Sequence, residues 1–268
     1  ICIGHTSALE LWRAARLGRC AFPTASSALL PASLSGVEAR ALLRPFVRAG
    51  ILKVPVHVIV ATQNARHKVN GIVGHSMDAA CAAGQLCKIA EGMYVLSPLA
   101  SLLHSSASMS VEQSAMLGFE LCGSYAVDCR AKAGFAQASA IASTTEMLAF
   151  SNTAFGGRFA RSTRRVASLV LDGAASPAEA QLACRLCFSK ARGGYGLPRP
   201  EMNCRVEVRG EARKMTQKRF FVCDLLWKEA GLDVEYDSAM FHASAGGLAS
   251  DAERRNALQA MDLAVITV

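Results

Sequence analysis

The stretch Phe220-Phe-Val-Cys-Asp-Leu-Leu-Trp227, followed by Val234-Glu-Tyr-Asp237, predicts a β-hairpin. Two apolar runs of strand length flank a polar segment, residues 228–233, that contains Gly231. Side chains alternate between strand faces, so Glu235 and Asp237 project from one side, with Asp224 within pairing distance on the neighbouring strand. Three carboxylates on a small sheet repel one another, and a divalent metal is the usual reason to tolerate that. The alternative is that they are solvated acids at strand ends.

Composition favours a cytoplasmic protein without a membrane segment. The chain has 268 residues, 51% of them hydrophobic, enough for one large domain or two small ones. No apolar run reaches the roughly 20 residues that span a bilayer. The first five residues lack the basic and apolar regions of a secretory signal peptide. We therefore expect the ten cysteines to be reduced thiols.

Positive charge is concentrated in one segment. Residues 158–219 carry fourteen Lys and Arg against five Asp and Glu, while the whole chain has a net charge of +8. Arg158, Arg161 and Arg165 recur at helical spacing and predict one basic helix face. A basic segment leading into an acidic cluster suits DNA held beside a metal site. Ordinary solvated helix faces are the alternative.

The first part of the chain, residues 1–155, is predicted to be a mixed α+β domain. Hydrophobic periodicity and capping residues predict helices over 6–19, 35–48, from 97 onward, 111–125 and 144–150. The predicted N-caps of the first three are Thr6 or Ser7, Ser35 and Ser97. Strands are predicted at 54–61 and 72–75, as a hairpin, and as a short pair within 85–96. We expect no metal-ligand or nucleophile motif in this domain.

The sequence spacing of two sets of potential metal ligands argues against a metal site. His57, His67 and His75 lie ten and eight residues apart, which matches no compact metal site. Cys184 and Cys187 form one CxxC within a helical pattern, without a second Cys or His pair, and core packing is favoured.

The second part, residues 156–268, is predicted to form a mixed sheet flanked by helices. Ser176, Pro177 and Glu179 occupy the N-cap, N1 and N3 positions of a helix, so a capping box explains Glu179 fully. Strands at 202–209 and in the acidic hairpin follow, and then a helix at 250–261 and a strand at 263–268. The order helix, three strands, helix, strand places the chain in the α+β class.

An ordered set of motifs in this second domain resembles a known family. The motifs are Ser176-Pro-x-Glu179, Arg199-Pro-Glu-Met-Asn203, Asp224-Leu-Leu-Trp227, Val234-Glu-Tyr-Asp237, Phe241-His242 and Asp251-x-x-Arg254-Arg255. They resemble an actinobacterial AbiEi-antitoxin-like family with a very-short-patch-repair-endonuclease-like carboxy-terminal domain. That domain has the PD-(D/E)XK, or restriction-endonuclease-like, fold. The likeness covers roughly residues 158–268, and the amino-terminal part resembles the middle of AbiEi-type proteins.

The resemblance implies roles for particular residues. Asp224 matches the central metal-binding aspartate, Glu235 and Asp237 the acidic strand, Glu179 the helical glutamate and His242 the following histidine. The family pattern ends Glu-x-Lys, but Asp237 stands in the lysine position. Lys190, Lys228 or His242 would then supply the missing group, and Ser238 replaces the usual glycine after the strand.

These assignments lead to three functional hypotheses. The first is a Mg²⁺- or Mn²⁺-dependent DNA endonuclease, with Asp224, Glu235 and Asp237 as ligands and His242 as general acid or base. Arg254 and Arg255 would bind a phosphate. The second is a nuclease-fold DNA-binding regulator or antitoxin without catalysis. The third is an interaction protein of a defence or toxin–antitoxin locus, acting as a homodimer or with a toxin–antitoxin partner.

Overall fold

The structure is a computed structural model that describes the chain except residues 34, 67, 153–157 and 237–244. The side chains of 158–160 and 245–251 are also outside the description. The chain divides into an N-terminal unit, residues 1–121 and 126–170, and a C-terminal unit, residues 122–125 and 171–268. The division follows residue 170 rather than the predicted 155, because the helix over 158–167 packs on N-terminal helices. No described helix is both long and apolar enough to cross a membrane.

Most helices begin and end close to where capping and periodicity predict them. The helices are α1 His5–Arg16, α2 Gly36–Arg48, α3 Ala79–Ala82, α4 Pro98–Ser106, α5 Val111–Cys122, α6 Thr144–Asn152, α7 Arg158–Ala167, α8 Pro177–Cys187 and α9 Ala245–Gln259. Helix α3 was not predicted, and α9 begins at 245 rather than at the predicted 250. The predicted cap of α1 by Thr6 or Ser7 is wrong, because the helix begins at His5 after Gly4 and has no side-chain cap. The other three predicted serine caps are confirmed. The side chains of Ser35, Ser97 and Ser176 each accept a hydrogen bond from a backbone N–H in the first turn of the following helix, which satisfies a donor that the helix leaves free.

The strands form two main sheets and a short pair. They are β1 Cys2–Ile3, β2 Thr24–Ser26, β3 Val56–Val60, β4 Ile72–Ser76, β5 Leu86–Ala90, β6 Met93–Leu96, β7 Tyr125–Val127, β8 Phe135–Gln137, β9 Glu201–Glu207, β10 Phe220–Trp227, β11 Leu232–Glu235 and β12 Ala264–Thr267. The N-terminal sheet has the order β2-β5-β6-β1-β3-β4. The C-terminal sheet has the order β12-β11-β10-β9.

The N-terminal sheet buries side chains on both faces. Cys2 and Ile3, adjacent on β1, belong to two different hydrophobic clusters, as the alternation of strand side chains requires. Leu11 and Trp12 of α1 pack into the Ile3 cluster. Leu103 of α4 packs into the Cys2 cluster.

One predicted strand pairing in this unit is wrong. β3 and β4 pair in parallel, with Val56 opposite Ile72, rather than as the predicted hairpin. A hairpin needs the chain to reverse direction, whereas parallel strands need a crossover connection. Residues 61–71, which include the short 3₁₀ helix Gln63–Ala65, provide that crossover. The turn signal at Asn70-Gly71 lies immediately before β4 and does not join it to β3 directly.

The C-terminal unit has the predicted order of α8, three strands, α9 and a last strand. β10 is antiparallel to β9 and β11, and β12 is parallel to β11. Ala257 and Leu258 of α9 are fully buried against Phe221 and Cys223 of β10. The predicted mixed α+β architecture is confirmed.

Candidate acidic site in the C-terminal unit

The hairpin β10–β11 places Asp224 and Glu235 side by side. Leu225 pairs with Val234 across the two strands. The next residues away from the turn, Asp224 on β10 and Glu235 on β11, are therefore neighbours. Gly231 closes the turn with a φ of +58°, which glycine adopts without steric cost. This register confirms the predicted proximity of two of the three hairpin acids. Asp237 lies outside the described residues.

Asp224 lies in an environment that disfavours its charge. Its pKa is raised to about 6, mainly by burial, and the negative charges of Glu179 and Glu235 act in the same direction. The backbone N–H of Tyr236 donates a hydrogen bond of 2.9 Å to Asp224 Oδ2, which lowers the pKa, as does Arg254. Asp224 therefore lies at the centre of an electrostatic group of three acids and one arginine.

Arg254 of α9 pairs with the acids of β11. Its guanidinium forms an ion pair with Glu235, donates a 2.5 Å hydrogen bond to the Val222 carbonyl and lies 3.9 Å from Asp233. Burial nevertheless raises the pKa of Glu235 to about 7, with the hydrogen bond to Asp233 as the next cause. Arg254 thus supplies a positive charge beside Glu235 and Asp233.

Asp233 is a buried residue of β11, although the sequence pattern places it in the polar turn, residues 228–233. Its side chain is fully buried on β11, on the same side as Glu235 because the two are separated by two positions. Burial raises its pKa, and the neighbouring Glu235, Cys223 and Arg254 side chains lower it. Neither carboxyl oxygen is paired with a hydrogen-bond donor among the described residues. Arg254, 3.9 Å away, is the nearby positive charge.

Glu179 is held by more groups than a capping box requires. Ser176 Oγ donates to Glu179 Oε1 at 2.9 Å and accepts from the Glu179 N–H at 3.1 Å. Glu179 Oε2 accepts from the Ala175 N–H at 2.8 Å and from Asn203 Nδ2 at 2.6 Å. The cap prediction is confirmed, and the bond to Asn203 ties α8 to β9.

Asn203 is a residue of this site that the pattern of acids did not reveal. Its φ of +48° is a left-handed conformation that asparagine tolerates better than most residues. The register pairs Cys204 with Cys223 and Met202 with Leu225, so Asn203 lies opposite Asp224. In the sequence, the feature that could have identified Asn203 as a site residue is its position at the end of the Arg199-Pro-Glu-Met-Asn203 motif.

The remaining predicted site residues are either outside the described part of the chain or not in contact with the acids of this site in the described structure. His242 lies outside the described residues, as does the side chain of Arg158. Arg255 is exposed. Lys228 pairs with Glu201 at 2.7 Å, and Lys190 is exposed on a 3₁₀ helix, so neither is engaged with the acids in the described structure.

The predicted basic helix face belongs to the N-terminal unit. Arg161 and Arg165 of α7 are both exposed, one helical turn apart on the same face. The helix thus presents two positive charges to solvent, as the spacing predicts.

The acids do not form a compact set of three metal ligands among the described residues. Within that part of the chain, the one group of three or more His, Cys, Asp or Glu side chains close enough to share an ion is His5, His57 and His75. Comparisons of the chain with protein-family models, with curated proteins and with solved structures find no match.

Replacing Glu179 by glutamine separates its two roles. Gln retains an oxygen that accepts from Ala175 and Asn203 and an amide that donates to Ser176 Oγ. We therefore expect the free energy of unfolding to change by less than about 1 kcal/mol. Any metal-dependent cleavage should fall at least about tenfold, because the negative charge is lost. Urea unfolding and plasmid cleavage measure the two effects.

Ser176→Ala is the matched control for Glu179→Gln, since it damages the cap and keeps the carboxylate. We expect it to lose stability without a comparable loss of cleavage rate. If Glu179→Gln cleaves like the wild type, Glu179 is only a structural residue.

Proposed function

We propose that the C-terminal unit is a restriction-endonuclease-like domain that hydrolyses phosphodiester bonds of DNA in a metal-dependent reaction. The observation that carries this proposal is Asp224, a largely buried carboxyl with a pKa raised to about 6 beside two further acids. Such an excess of negative charge is relieved by a bound cation. Perturbed carboxyl groups of this kind concentrate at functional sites.

The order of elements supports the proposal. The resemblance places its acids on a helix, on the central strand and on the next strand of a helix, three-strand, helix, strand unit. Glu179 lies on α8, Asp224 on β10 and Glu235 on β11, which is the same arrangement.

The donor set suits Mg²⁺ or Mn²⁺. Carboxylate oxygens are the ligands that these hard cations prefer, and the three described acids outnumber the one nearby arginine. Bound between Asp224 and Glu235, the cation would lower the pKa of a water molecule and stabilise charge on the phosphate.

The chain's own residues prepare that chemistry. Asp224 is oriented by the Tyr236 N–H, and Glu179 is fixed by Ser176, Ala175 and Asn203. A side chain held by several hydrogen bonds loses little further entropy when it binds a substrate or an ion. Asp237 and His242 stay predicted participants, as third ligand and as general acid or base.

A second candidate, DNA binding without cleavage, rests on a different observation. Arg254 already pairs with Glu235, so this strand acid is compensated without a metal. Asp237 stands where the family pattern has its catalytic lysine. A regulator or antitoxin that retained the fold and lost the reaction would have this combination.

One experiment separates the two candidates. Supercoiled plasmid is incubated with the full chain and Mg²⁺ or Mn²⁺, with a parallel reaction in excess chelator, and duplex binding is measured at several salt concentrations. Metal-dependent nicking supports the endonuclease. Salt-dependent binding without nicking supports the DNA-binding protein. If neither is observed, both proposals are wrong.

The basic face of α7 gives a quantitative test of DNA contact. If Arg158, Arg161 and Arg165 contact phosphates, replacing all three by glutamine should flatten the salt dependence of binding by about 0.9 per lost contact on B-form duplex. The measurement is log affinity against log salt concentration. The paired control is Arg40→Gln with Arg44→Gln, two exposed arginines one turn apart on α2. Equal slopes in both variants would make the α7 face ordinary solvated surface.

A further inference from the structure

Four histidines far apart in the sequence come together in the N-terminal unit. His57 Nδ1 lies 2.7 Å from His75 Nε2, and the ring of His5 stacks on both at centroid distances of 4.8 and 4.7 Å. His104 meets the rings of His5 and His75 edge-on at 5.7 and 5.3 Å. The inference from spacing that His57 and His75 do not come together was wrong, because β3 and β4 pair in parallel and bring both side chains to one sheet face. His67, the third histidine of that set, lies outside the described residues.

Four elements position this cluster: β3, β4, the start of α1, and α4. Ile59 pairs with His75 in the parallel register, so His57 lies diagonally across from His75. Gly4 precedes His5, and its N–H donates to the His57 carbonyl at 3.0 Å. A Cβ at Gly4 would lie 2.2 Å from Ile59 Cγ1, so only glycine lets the start of α1 approach β3 this closely. His104 comes from α4.

The geometry points to a site for one divalent transition-metal ion, of which Zn²⁺ is the reference, with His5, His57 and His75 as its three protein ligands. One nitrogen from each of the three rings lies within 4.8 Å of the other two. Ligands about 2.0–2.1 Å from a tetrahedral ion are about 3.4 Å apart, which lies between the 2.7 Å of the His57–His75 pair and the 4.8 Å limit. Because the rings now lie nearly parallel, they would rotate to direct these nitrogens at one ion. Imidazole nitrogens suit Zn²⁺, Cu²⁺, Ni²⁺ and Fe²⁺, and not Mg²⁺.

The contact between His57 and His75 is compatible with a metal ion. Their 2.7 Å hydrogen bond has a proton between two ring nitrogens. A metal ion would take that place, while the proton moves to another nitrogen of the donor ring.

Space for a fourth ligand is adjacent. A cavity of about 330 Å³ is lined by His5, His75, His104, Ser108 and Asp78, among others. Three histidine ligands with a further position open to a cavity are the arrangement of catalytic rather than structural zinc sites. His104 also lines the cavity, and its Nδ1 is buried without a hydrogen-bond partner among the described groups. We infer that water or a small anionic ligand completes the coordination.

Hydrogen bonds outside the ring contacts orient the cluster. His5 Nε2 lies 2.9 Å from Ser108 Oγ, and the His57 backbone N–H donates to Ser7 Oγ at 3.0 Å. His5 has a φ of +51°, a left-handed conformation that costs a residue with a Cβ free energy. Backbone conformations of this kind cluster at binding sites.

The test uses Co²⁺ as a spectroscopic probe on the full chain after chelator treatment. Millimolar Mg²⁺ is present to occupy the carboxylate site, since imidazole ligands do not select Mg²⁺. We then expect one Co²⁺ per chain, with the visible absorption of a nitrogen and oxygen ligand set and without the near-ultraviolet band of thiolate ligation. His57→Asn, His75→Asn and His5→Asn should each weaken binding roughly tenfold or more. Asparagine is chosen at position 5 because it tolerates the positive φ.

Controls separate this site from the cysteines and from the acidic site. Cys81 also lines the cavity, and Cys81→Ser should bind Co²⁺ like the wild type. Asp224→Asn should also keep full Co²⁺ binding, so failure of the nuclease proposal would leave this one standing. Undiminished binding in the histidine variants, or a thiolate spectrum, would overturn it.

A second measurement applies if a histidine variant fails to fold, as circular dichroism would show. X-ray absorption at the zinc edge of the wild-type protein, loaded with one equivalent of Zn²⁺, counts imidazole ligands directly. Three imidazoles are expected. Fewer than two, or sulfur in the first coordination sphere, would contradict the site.

Discussion

Replacing Arg254 by methionine is expected to lower the free energy of unfolding by about 3 kcal/mol at pH 8. The change removes the ion pair with Glu235, the nearby positive charge at Asp233 and the hydrogen bond to Val222. Breaking a buried pair from one side costs about 3–5 kcal/mol, since the remaining charge is left uncompensated. Methionine keeps most of the length and apolar packing of the arginine stem.

This loss should depend on pH. The pKa of Glu235 is about 7, so at pH 5 the group is protonated and needs its partner less. We therefore expect the destabilisation by Arg254→Met to be smaller at pH 5 than at pH 8. Urea unfolding at both pH values measures it, and hydrogen exchange of peptides from β10 and β11 assigns the loss to this sheet.

Two further variants make the Arg254 result specific. Arg255→Met changes an exposed arginine at the adjacent position and should have little effect. Glu235→Gln added to Arg254→Met removes the unpaired charge and should restore part of the stability. An equal loss in the Arg255 variant, or no difference between the two pH values, would contradict the role given to Arg254.

Replacing Asp224 by asparagine is expected to abolish cleavage and to stabilise the fold at high pH. As a metal ligand Asp224 is needed for catalysis, and we expect plasmid nicking to fall by about a hundredfold or more, which is about 2.7 kcal/mol of barrier. The asparagine side chain still accepts the Tyr236 N–H. Any loss of activity would then reflect the missing charge rather than a lost hydrogen bond.

The stability effect follows from the raised pKa. Because the pKa of Asp224 rises from 3.8 to about 6 on folding, the folded chain binds a proton that the unfolded chain has released. The resulting stabilisation is present below about pH 4 and is lost as the pH rises through 6. At pH 8 Asp224→Asn should therefore be more stable than the wild type by about 1–3 kcal/mol, and at pH 4 the two should be nearly equal.

The control for Asp224→Asn is Glu229→Gln, an exposed acid in the turn of the same hairpin. It should change neither the cleavage rate nor the pH dependence of stability. A loss of stability in Asp224→Asn at pH 8 would show that the carboxylate is well compensated in the folded state. That result would remove the main support for a cation site at β10.

The sequence by itself determined the local elements and the hairpin. Ser35, Ser97 and Ser176 begin their helices as predicted, because a cap satisfies backbone donors within a few residues of itself. The register of β10 and β11 follows from the short turn at Gly231, so the proximity of Asp224 and Glu235 was predictable. The helix caps and the hairpin register both depend on interactions between residues that are close in the chain, and a local sequence pattern shows such interactions.

Only the tertiary structure decided which distant residues meet. The parallel pairing of β3 with β4 depends on a crossover and on the neighbouring strands, and it brings His57 and His75 together. The burial of Asp233 and its compensation by Arg254 depend on how α9 packs on the sheet. The bond between Asn203 and Glu179 joins two elements that local patterns treat separately. Burial and long-range pairing set the charge balance of both sites, because desolvation and Coulomb interactions act through space rather than along the chain.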